Sequence, residues 1–333
     1  MKAVQITKYS KSLAVQVNDV AKPTPAPHEV LIRVQYAAVN PVDLMNITGS
    51  VKLIQNYPMP LTLGNEIAGE VVARGAEATA FKVGDQVYAR LPLGKIGGFA
   101  EYVAVAEDAL WYVPKNLSLK QAVAVPLTGL TAYQGLTEEL AAQPGRTLFI
   151  PGGSGSFGQM AVPIAKQMGL KVIVSGNAEA KARITQLGAD QYLDYRKENY
   201  WEVLAPVDYI IDTRGAQEIE REVSVLKQGG RILSLVAGPN RYFATSRHLP
   251  FWKTFLFGIA GRRWDKLARS RDGQYRFLFV RSDGAQLKKV TEIVEDNNIV
   301  PTIDDHVFTL DQINEALQLV DHGKTKGKVV IEF

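Results

Sequence analysis

The chain has 333 residues, 46% of them hydrophobic and 22% charged, and a formal net charge of +4. That length exceeds the usual size of one domain, so two domains with proper cores are expected, and so small a charge gives no indication of nucleic-acid binding. The absence of cysteine excludes disulfides and every zinc site built on thiolates.

In chain order, the first hundred-odd residues alternate short β-type runs with turn signals, at 1–6, 30–39, 67–73, 86–89 and 99–105. They predict a β-rich, partly barrel-like domain. Pro23, Pro25 and Pro27 make a stiff extended connector. The chain begins at once as a strand, with no charged segment leading into an apolar cleavage region, and no apolar run approaches the ~20 residues of a membrane span. A cytoplasmic protein without membrane insertion is the expectation. From about residue 124 the pattern changes to strands at 147–150, 171–174, 191–194, 208–212, 231–236 and 275–280 with helical sequence between most of them. That alternation predicts a doubly wound parallel sheet. A helix near 284–297, a strand near Val307, a helix over 310–320 and a last strand at 328–333 follow. These pieces are expected to return to the first domain, giving residues 1–123 with 284–333 as the β-rich domain and 124–283 as an inserted nucleotide domain.

The most specific signal lies at the first strand of the inserted part. Strand 147–150 runs into Gly153-Ser154-Gly155-Ser156-Phe157-Gly158 and then into helical sequence from Gln159 to Met168. Gly153 permits a tight turn, Gly155 lets backbone approach a pyrophosphate, and Gly158 lets the helix pack on the strand. N–H groups at the helix start attract phosphate. At the end of the second strand, where NAD-binding folds carry an acid for the ribose 2′-hydroxyl, stand Ser175, Gly176 and Asn177. With no carboxylate to repel a 2′-phosphate, NADPH is favoured, and Lys181 and Arg183 could add charge. Solvation of an exposed helix face is the alternative for each of those two cations.

Together the motifs resemble the zinc-independent quinone oxidoreductases, the zeta-crystallin-like group of the medium-chain dehydrogenase/reductase superfamily. The resemblance runs nearly end to end: Val39-Asn40-Pro41-Val42-Asp43, Leu63-Gly64-Asn65-Glu66, Val83-Gly84-Asp85, Gly98-Phe99-Ala100-Glu101-Tyr102, the run from Pro126 to Tyr133, the glycine turn, Leu187-Gly188-Ala189-Asp190 and Gly327-Lys328-Val329-Val330. It implies an α/β fold in which a GroES-like catalytic domain holds an inserted Rossmann domain. Zinc-dependent members of the superfamily use a cysteine, a histidine within Gly-His-Glu and a further Cys or Asp. Here the first position falls at 38–40 and the histidine position is Asn65. His28, His248, His306 and His322 lack metal-ligand spacing, so no metal is expected.

Without a Lewis acid to stabilise an alkoxide, the acceptor must already be electrophilic, which quinones and α,β-unsaturated carbonyls are. NADPH-dependent reduction of such a small molecule follows. A non-catalytic, crystallin-like NADPH binder is the alternative, and an alcohol dehydrogenase a more distant one. The resemblance makes Asn40 the first substrate-side candidate, its amide donating to a developing oxyanion or to the cofactor ribose, although Asn-Pro is also a turn signal. Asp43 is expected to hold that loop together. Relatives often carry Tyr or Lys where this chain has Met45. Tyr57 is a candidate substitute donor, with a loop tyrosine packed on the surface as the equal alternative. Thr131 resembles a threonine near the nicotinamide amide, and otherwise a helix-start residue. Tyr195 matches a tyrosine near the 2′-phosphate, or is simply a half-buried ring. Backbone at Val236 and Ala237, after the fifth strand, should flank the nicotinamide, and Phe279 near the end of the sixth is a further cofactor candidate.

Residues 253–276 are rich in cations and aromatics. They could form an amphipathic cap or touch an anionic surface, and a solvated helix packing its apolar face on its own domain is the plainer reading. In relatives an edge strand of the Rossmann sheet pairs to form a dimer, so a homodimer is expected.

Overall fold

The computed structural model describes every residue from Met1 to Phe333. In chain order come β1 (Lys2–Ile6), β2 (Gln16–Asp19), β3 (Glu29–Val39), α1 (Pro41–Thr48), β4 (Leu61–Thr62), β5 (Glu66–Arg74), β6 (Gln86–Arg90), β7 (Tyr102–Ala106), β8 (Trp111–Tyr112), α2 (Leu119–Ala122) and α3 (Pro126–Gln134). The middle of the chain adds β9 (Thr147–Ile150), α4 (Ser156–Gln167), β10 (Lys171–Gly176), α5 (Lys181–Gln186), β11 (Gln191–Asp194), α6 (Tyr200–Val203), β12 (Val207–Asp212), α7 (Ile219–Ser224), β13 (Leu226–Ser234), α8 (Arg241–Ser246), α9 (Phe251–Ala260), α10 (Arg262–Arg269) and β14 (Gln274–Phe277). The tail is α11 (Gly284–Asp296), β15 (Ile303–Thr309), α12 (Ile313–Asp321) and β16 (Lys328–Glu332).

Two compact units result, Met1–Leu130 with Arg281–Phe333, and Thr131–Val280. The cuts lie at 130/131 and 280/281, where the sequence patterns suggest 123/124 and 283/284. The first half of α3 belongs to the first unit because its Gly129 lies against Val290 of α11, too close for a Cβ.

The first unit is built on a seven-stranded sheet in which β15, β16, β3, β5, β6 and β8 follow in order and β7 pairs with β3, beside a three-stranded sheet β2-β1-β4. Only β15 and β16 run parallel in the larger sheet. β3 is its central strand, and its apolar run (Val30, Leu31, Ile32, Val34, Ala37, Ala38, Val39) is buried. Burial on both faces explains why β3 reads as a nearly continuous apolar strand instead of an alternating one.

The second unit is one six-stranded sheet, order β11-β10-β9-β12-β13-β14, with every neighbouring pair parallel. Numbered within the unit the order is 3-2-1-4-5-6, the doubly wound arrangement whose ligand crevice opens at the carboxyl ends of the strands where the order reverses. That point lies between β9 and β12. The glycine turn leaves β9 there.

Several elements escape a reading by periodicity. α1 follows Asn40-Pro41, which reads as a turn signal, yet Pro41 occupies the first turn of a real helix, where its missing N–H costs nothing. β14 stops at Phe277, so Leu278, Phe279 and Val280 are not strand residues. The basic segment 253–276 is two helices, α9 and α10, running on into β14, not a single helix.

Candidate active site and nucleotide cradle

In the first unit, α1 and strands β5 and β16 bring together a buried polar network. Lys328 opens β16 with its side chain only 4% exposed, and its ammonium meets Oδ1 of Asn40 at 2.5 Å and Oε2 of Glu66 at 2.8 Å. The other carboxylate oxygen of Glu66 accepts the Leu127 N–H at 2.6 Å. Asn40 donates from Nδ2 to Glu66 Oε2 at 3.0 Å and to the Ala38 carbonyl at 3.1 Å. Asp43 sits at the third helical position and accepts from the Asn40 backbone N–H at 2.8 Å and from Asn65 Nδ2 at 2.7 Å. All five side chains of this set are nearly or wholly buried. A buried charge is tolerable only when paired and hydrogen-bonded, and this one is.

The geometry corrects the role expected of Asn40. Both amide hydrogens are committed inside the protein, so the side chain cannot donate to a substrate oxyanion without breaking the network, and it serves as the joint between α1, β5 and β16. Asp43 does hold its loop by hydrogen bonds. Burial nevertheless pushes its carboxyl up to about 7, against the pull of its donors Asn65 and Asn40; the charge of Glu66 adds to the rise and that of Lys328 opposes it. Tyr57 is not a surface ring: it is buried in the core of this unit, 5% exposed. Burial pushes its phenol up to about 12, with the charges of Arg90 and Asp43 acting in opposite senses. Met45 is half-buried on α1. Its neighbour Asn46 is buried with neither amide atom hydrogen-bonded. No three His, Asp or Glu side chains are arranged to hold a metal ion.

In the second unit the three glycines differ in what surrounds them. A Cβ on Gly158 would lie 1.8 Å from the Gly153 carbonyl oxygen, and one on Gly153 would press on Ile150 and Val174, whereas one on Gly155 would meet nothing within 4 Å. Two glycines are therefore fixed by packing. The third faces open space at the start of α4, whose first turn has no side-chain cap, leaving its N–H groups for an anion. This cradle fits a dinucleotide pyrophosphate. Ser154 and Ser156 line the turn half-buried, with Phe157 beside them.

At the end of β10, Ser175 is buried and its Oγ accepts the Gly152 N–H at 3.4 Å, so it lies under the turn. Gly176 cannot be another residue, since a Cβ there would lie 2.3 Å from the Tyr192 hydroxyl. Asn177 caps the next turn through Oδ1, accepting Ala180 N–H at 3.0 Å, which leaves its amide NH₂ to donate outward. Lys181 is exposed; Arg183 is half-buried and donates to the Ser154 carbonyl at 3.0 Å, bracing the glycine turn. Tyr195, an exposed ring and not a half-buried one, donates its backbone N–H to Gly176 at 3.2 Å and carries the Arg196 guanidinium 5.6 Å from its centroid.

The turn after β13 is held by an unforeseen pair. Ser234 Oγ donates to Asp212 Oδ2 at 2.6 Å and accepts the N–H groups of Val236 and Ala237 at 3.2 and 2.8 Å, while Asp212 Oδ1 takes those of Arg214 and Gly215. Two strand ends are thereby tied together at the carboxyl edge of the sheet. Glu222, buried beside Asp212, is raised well above the ordinary carboxyl range by burial and by that neighbour's charge. Thr131 is half-buried on α3. Phe279 is half-buried, and its carbonyl accepts from Arg247 at 2.8 Å. Glu66, Lys328, Asp212, Ser234 and Arg196 are the residues that sequence reasoning passed over. For Glu66 and Lys328 a signal existed, since each is a charge heading a strand whose next three residues are uncharged and buried, and so demands a partner.

A dinucleotide cradle on a parallel sheet, together with a β-rich unit holding a buried polar network, defines a nicotinamide-dependent oxidoreductase. Residues 26–115 match the alcohol dehydrogenase GroES-like domain and residues 187–331 the family described as zinc-binding dehydrogenase. The 2-methylene-furan-3-one reductase of Solanum lycopersicum is 31% identical, covering 99% of this chain and 79% of the relative. The NADPH-dependent alkenal/one oxidoreductase, chloroplastic, of Arabidopsis thaliana is 30% identical over 91% of this chain and 72% of its own. Among solved structures, the quinone oxidoreductase from Coxiella burnetii superposes with a TM-score of 0.83 at 26% identity, covering 100% of this chain and 99% of that one. The chain belongs to the quinone oxidoreductase group of the medium-chain dehydrogenase/reductase superfamily.

Proposed function

We propose that this oxidoreductase uses NADPH to reduce a quinone or the activated double bond of an α,β-unsaturated carbonyl, with no metal ion taking part. Reduced nicotinamide, when bound, supplies a hydride; the chain's own residues bind, orient and exclude water. The observation that carries the metal-free reading is the network around Asn65. Where zinc-dependent members of the superfamily carry a histidine, this chain has an amide bonded to Asp43 at 2.7 Å, and it has no cysteine to complete a ligand set. The Lys328 ammonium is already the cation that satisfies Glu66 and Asn40. A second cation beside it would be repelled.

An unactivated alcohol or carbonyl needs a Lewis acid, whereas reduction of a quinone or enone yields a delocalised anion that modest hydrogen bonds can hold. Tyr57, its phenol pushed up to about 12, stays protonated at neutral pH but is closed into the core of its unit, so protonation of the reduced product is assigned to water. Preference for NADPH is supported by the absence of a carboxylate at 175–177 and by Asn177, Lys181, Tyr195 and Arg196 around the end of β10. It is also supported by the NADPH named in the description of the Arabidopsis relative. The free edge of β14 supports a homodimer made by strand pairing.

The test is oxidation of NADPH and of NADH against 1,4-benzoquinone, 9,10-phenanthrenequinone and short 2-alkenals, with metal analysis of the purified protein. NADPH turnover with at least one acceptor and no stoichiometric metal is expected. Alcohol oxidation that depends on bound zinc would overturn the proposal, and tight NADPH binding without any turnover would favour a binding protein.

A further inference from the structure

α9 is folded with its apolar side outward. Thr254, Phe257 and Gly258 face the unit, with Phe257 packed on Phe243 at 6.3 Å between ring centroids. Phe251 (84% exposed), Trp252 (52%), Phe255 (60%), Leu256 (43%) and Ile259 (60%) face solvent. At about 100° per residue, these positions and Ala260 cover roughly half of the helix circumference, and none is polar. A contiguous apolar face of this kind on an otherwise ordinary surface marks an interaction site. α10 starts directly after Gly261 and exposes Arg262, Arg263, Lys266 and Arg269. Its acid Asp265 is occupied, accepting from Asn240 at 2.7 Å. The one ion pair on this face, Arg263 with Glu220 at 3.7 Å, joins two largely exposed side chains and costs little to break.

Charge is concentrated here. Residues 241–280 hold 9 Lys or Arg and 2 acids, a net +7, so the remainder of the chain, with 29 cations and 32 acids, carries −3.

We propose that α9 and α10 form a docking surface for an anionic phospholipid bilayer, α9 lying in the interface with its aromatic and aliphatic face among the acyl chains and α10 supplying cations to the head groups. An apolar helical face next to a cationic one is the combination that such a surface rewards. Neither helix spans: no helix of the protein is long and apolar enough to cross a membrane. A ten-residue helix, about 15 Å long, suits the interface plane. A second copy of this chain is the poorer occupant, because an isologous contact through α9 would bring the exposed cations of α10 against those of the other copy. The inference goes beyond the proposed reaction and is read without turnover.

The test is flotation of the full chain with vesicles of phosphatidylcholine alone and of phosphatidylcholine mixed with phosphatidylglycerol, at low and high salt. Binding to the mixed vesicles at least tenfold tighter than to the neutral ones, and weakened by salt, is expected. The exposed triple substitution Phe251→Ser, Phe255→Ser, Ile259→Ser should abolish it. R262Q with R263Q and K266Q should weaken it by about a hundredfold, since each cation near the surface contributes a factor of about five. Both variants should keep the parent's circular dichroism and NADPH affinity, which separates a lost surface from a lost fold. Quenching of Trp252 by brominated lipid, absent in Trp252→Tyr, should report insertion of α9. Failure to bind either vesicle, or equal binding to both, would overturn the proposal, as would dimerisation that the serine triple abolishes in a chain that ignores vesicles.

Discussion

Lys328 shows how one side chain can hold together three parts of a fold. Its ammonium is shared by Asn40 ahead of α1 and Glu66 at the start of β5, and removing it leaves a buried carboxylate with its charge uncompensated. Lys328→Met is expected to cost about 3–5 kcal/mol in urea unfolding, and adding Glu66→Gln should restore part of the loss; strictly additive costs would show that the pair is not coupled. Asp43 makes a pH-dependent contribution. Its carboxyl is raised from the ordinary range to about 7, so between about pH 4 and pH 7 the native state keeps a proton that the unfolded chain releases. Stability therefore falls as pH rises through that window, by on the order of 1.4 kcal/mol per unit, and levels off above it. Asp43→Asn should flatten the slope, and an unchanged slope would place the proton elsewhere, Glu222 being the other buried carboxyl raised by its surroundings.

At the scale of the element, the turn between β9 and α4 separates packing from binding. Gly158→Ala places a methyl 1.8 Å from the Gly153 carbonyl, a backbone atom that cannot step aside, so several kcal/mol of destabilisation are expected. Gly155→Ala adds its methyl to open space at a φ of −88° that alanine adopts freely. It should leave unfolding within about 0.5 kcal/mol of the parent while weakening NADPH binding tenfold or more by filling the pyrophosphate's place. Loss of stability in Gly155→Ala without loss of binding would refute that division. The end of β10 offers a parallel test of cofactor choice. Asn177→Asp puts a carboxylate where the amide now faces outward and should shift the NADPH-to-NADH ratio of affinities toward NADH by at least tenfold. Ser175→Asp is the less informative change, because Ser175 lies beneath the turn.

For the whole molecule, the net charge of +4 conceals a division into a cationic stretch of three helices and an acidic remainder. The same total spread evenly would carry no implication for a partner. Ligand binding gives a second whole-molecule readout. At a hundredfold excess over its Kd, NADPH should stabilise the protein by about 2.7 kcal/mol in a thermal shift. NADH at the same concentration should do so by less, and equal shifts would count against the assignment of cofactor preference.

The doubly wound sheet was legible in the amino-acid sequence because parallel strands buried on both faces are short apolar runs set between helical periods. The glycine turn was legible because its constraints are local: a tight bend, a close approach and a helix start within six residues. The absence of thiolate ligands needed no structure at all. What the sequence left open depends on contacts between residues far apart in the chain. Asn40 reads as a donor until Glu66 and Lys328, 26 and 288 positions away, are seen to occupy its amide. Tyr57 reads equally as a substitute donor and as a surface ring until the core of its unit closes over it, and α9 reads as an ordinary amphipathic helix until its apolar side proves to be the one turned to water. Periodicity measures how much of a helix is apolar; only tertiary packing decides which side is covered and which hydrogen bonds are already made.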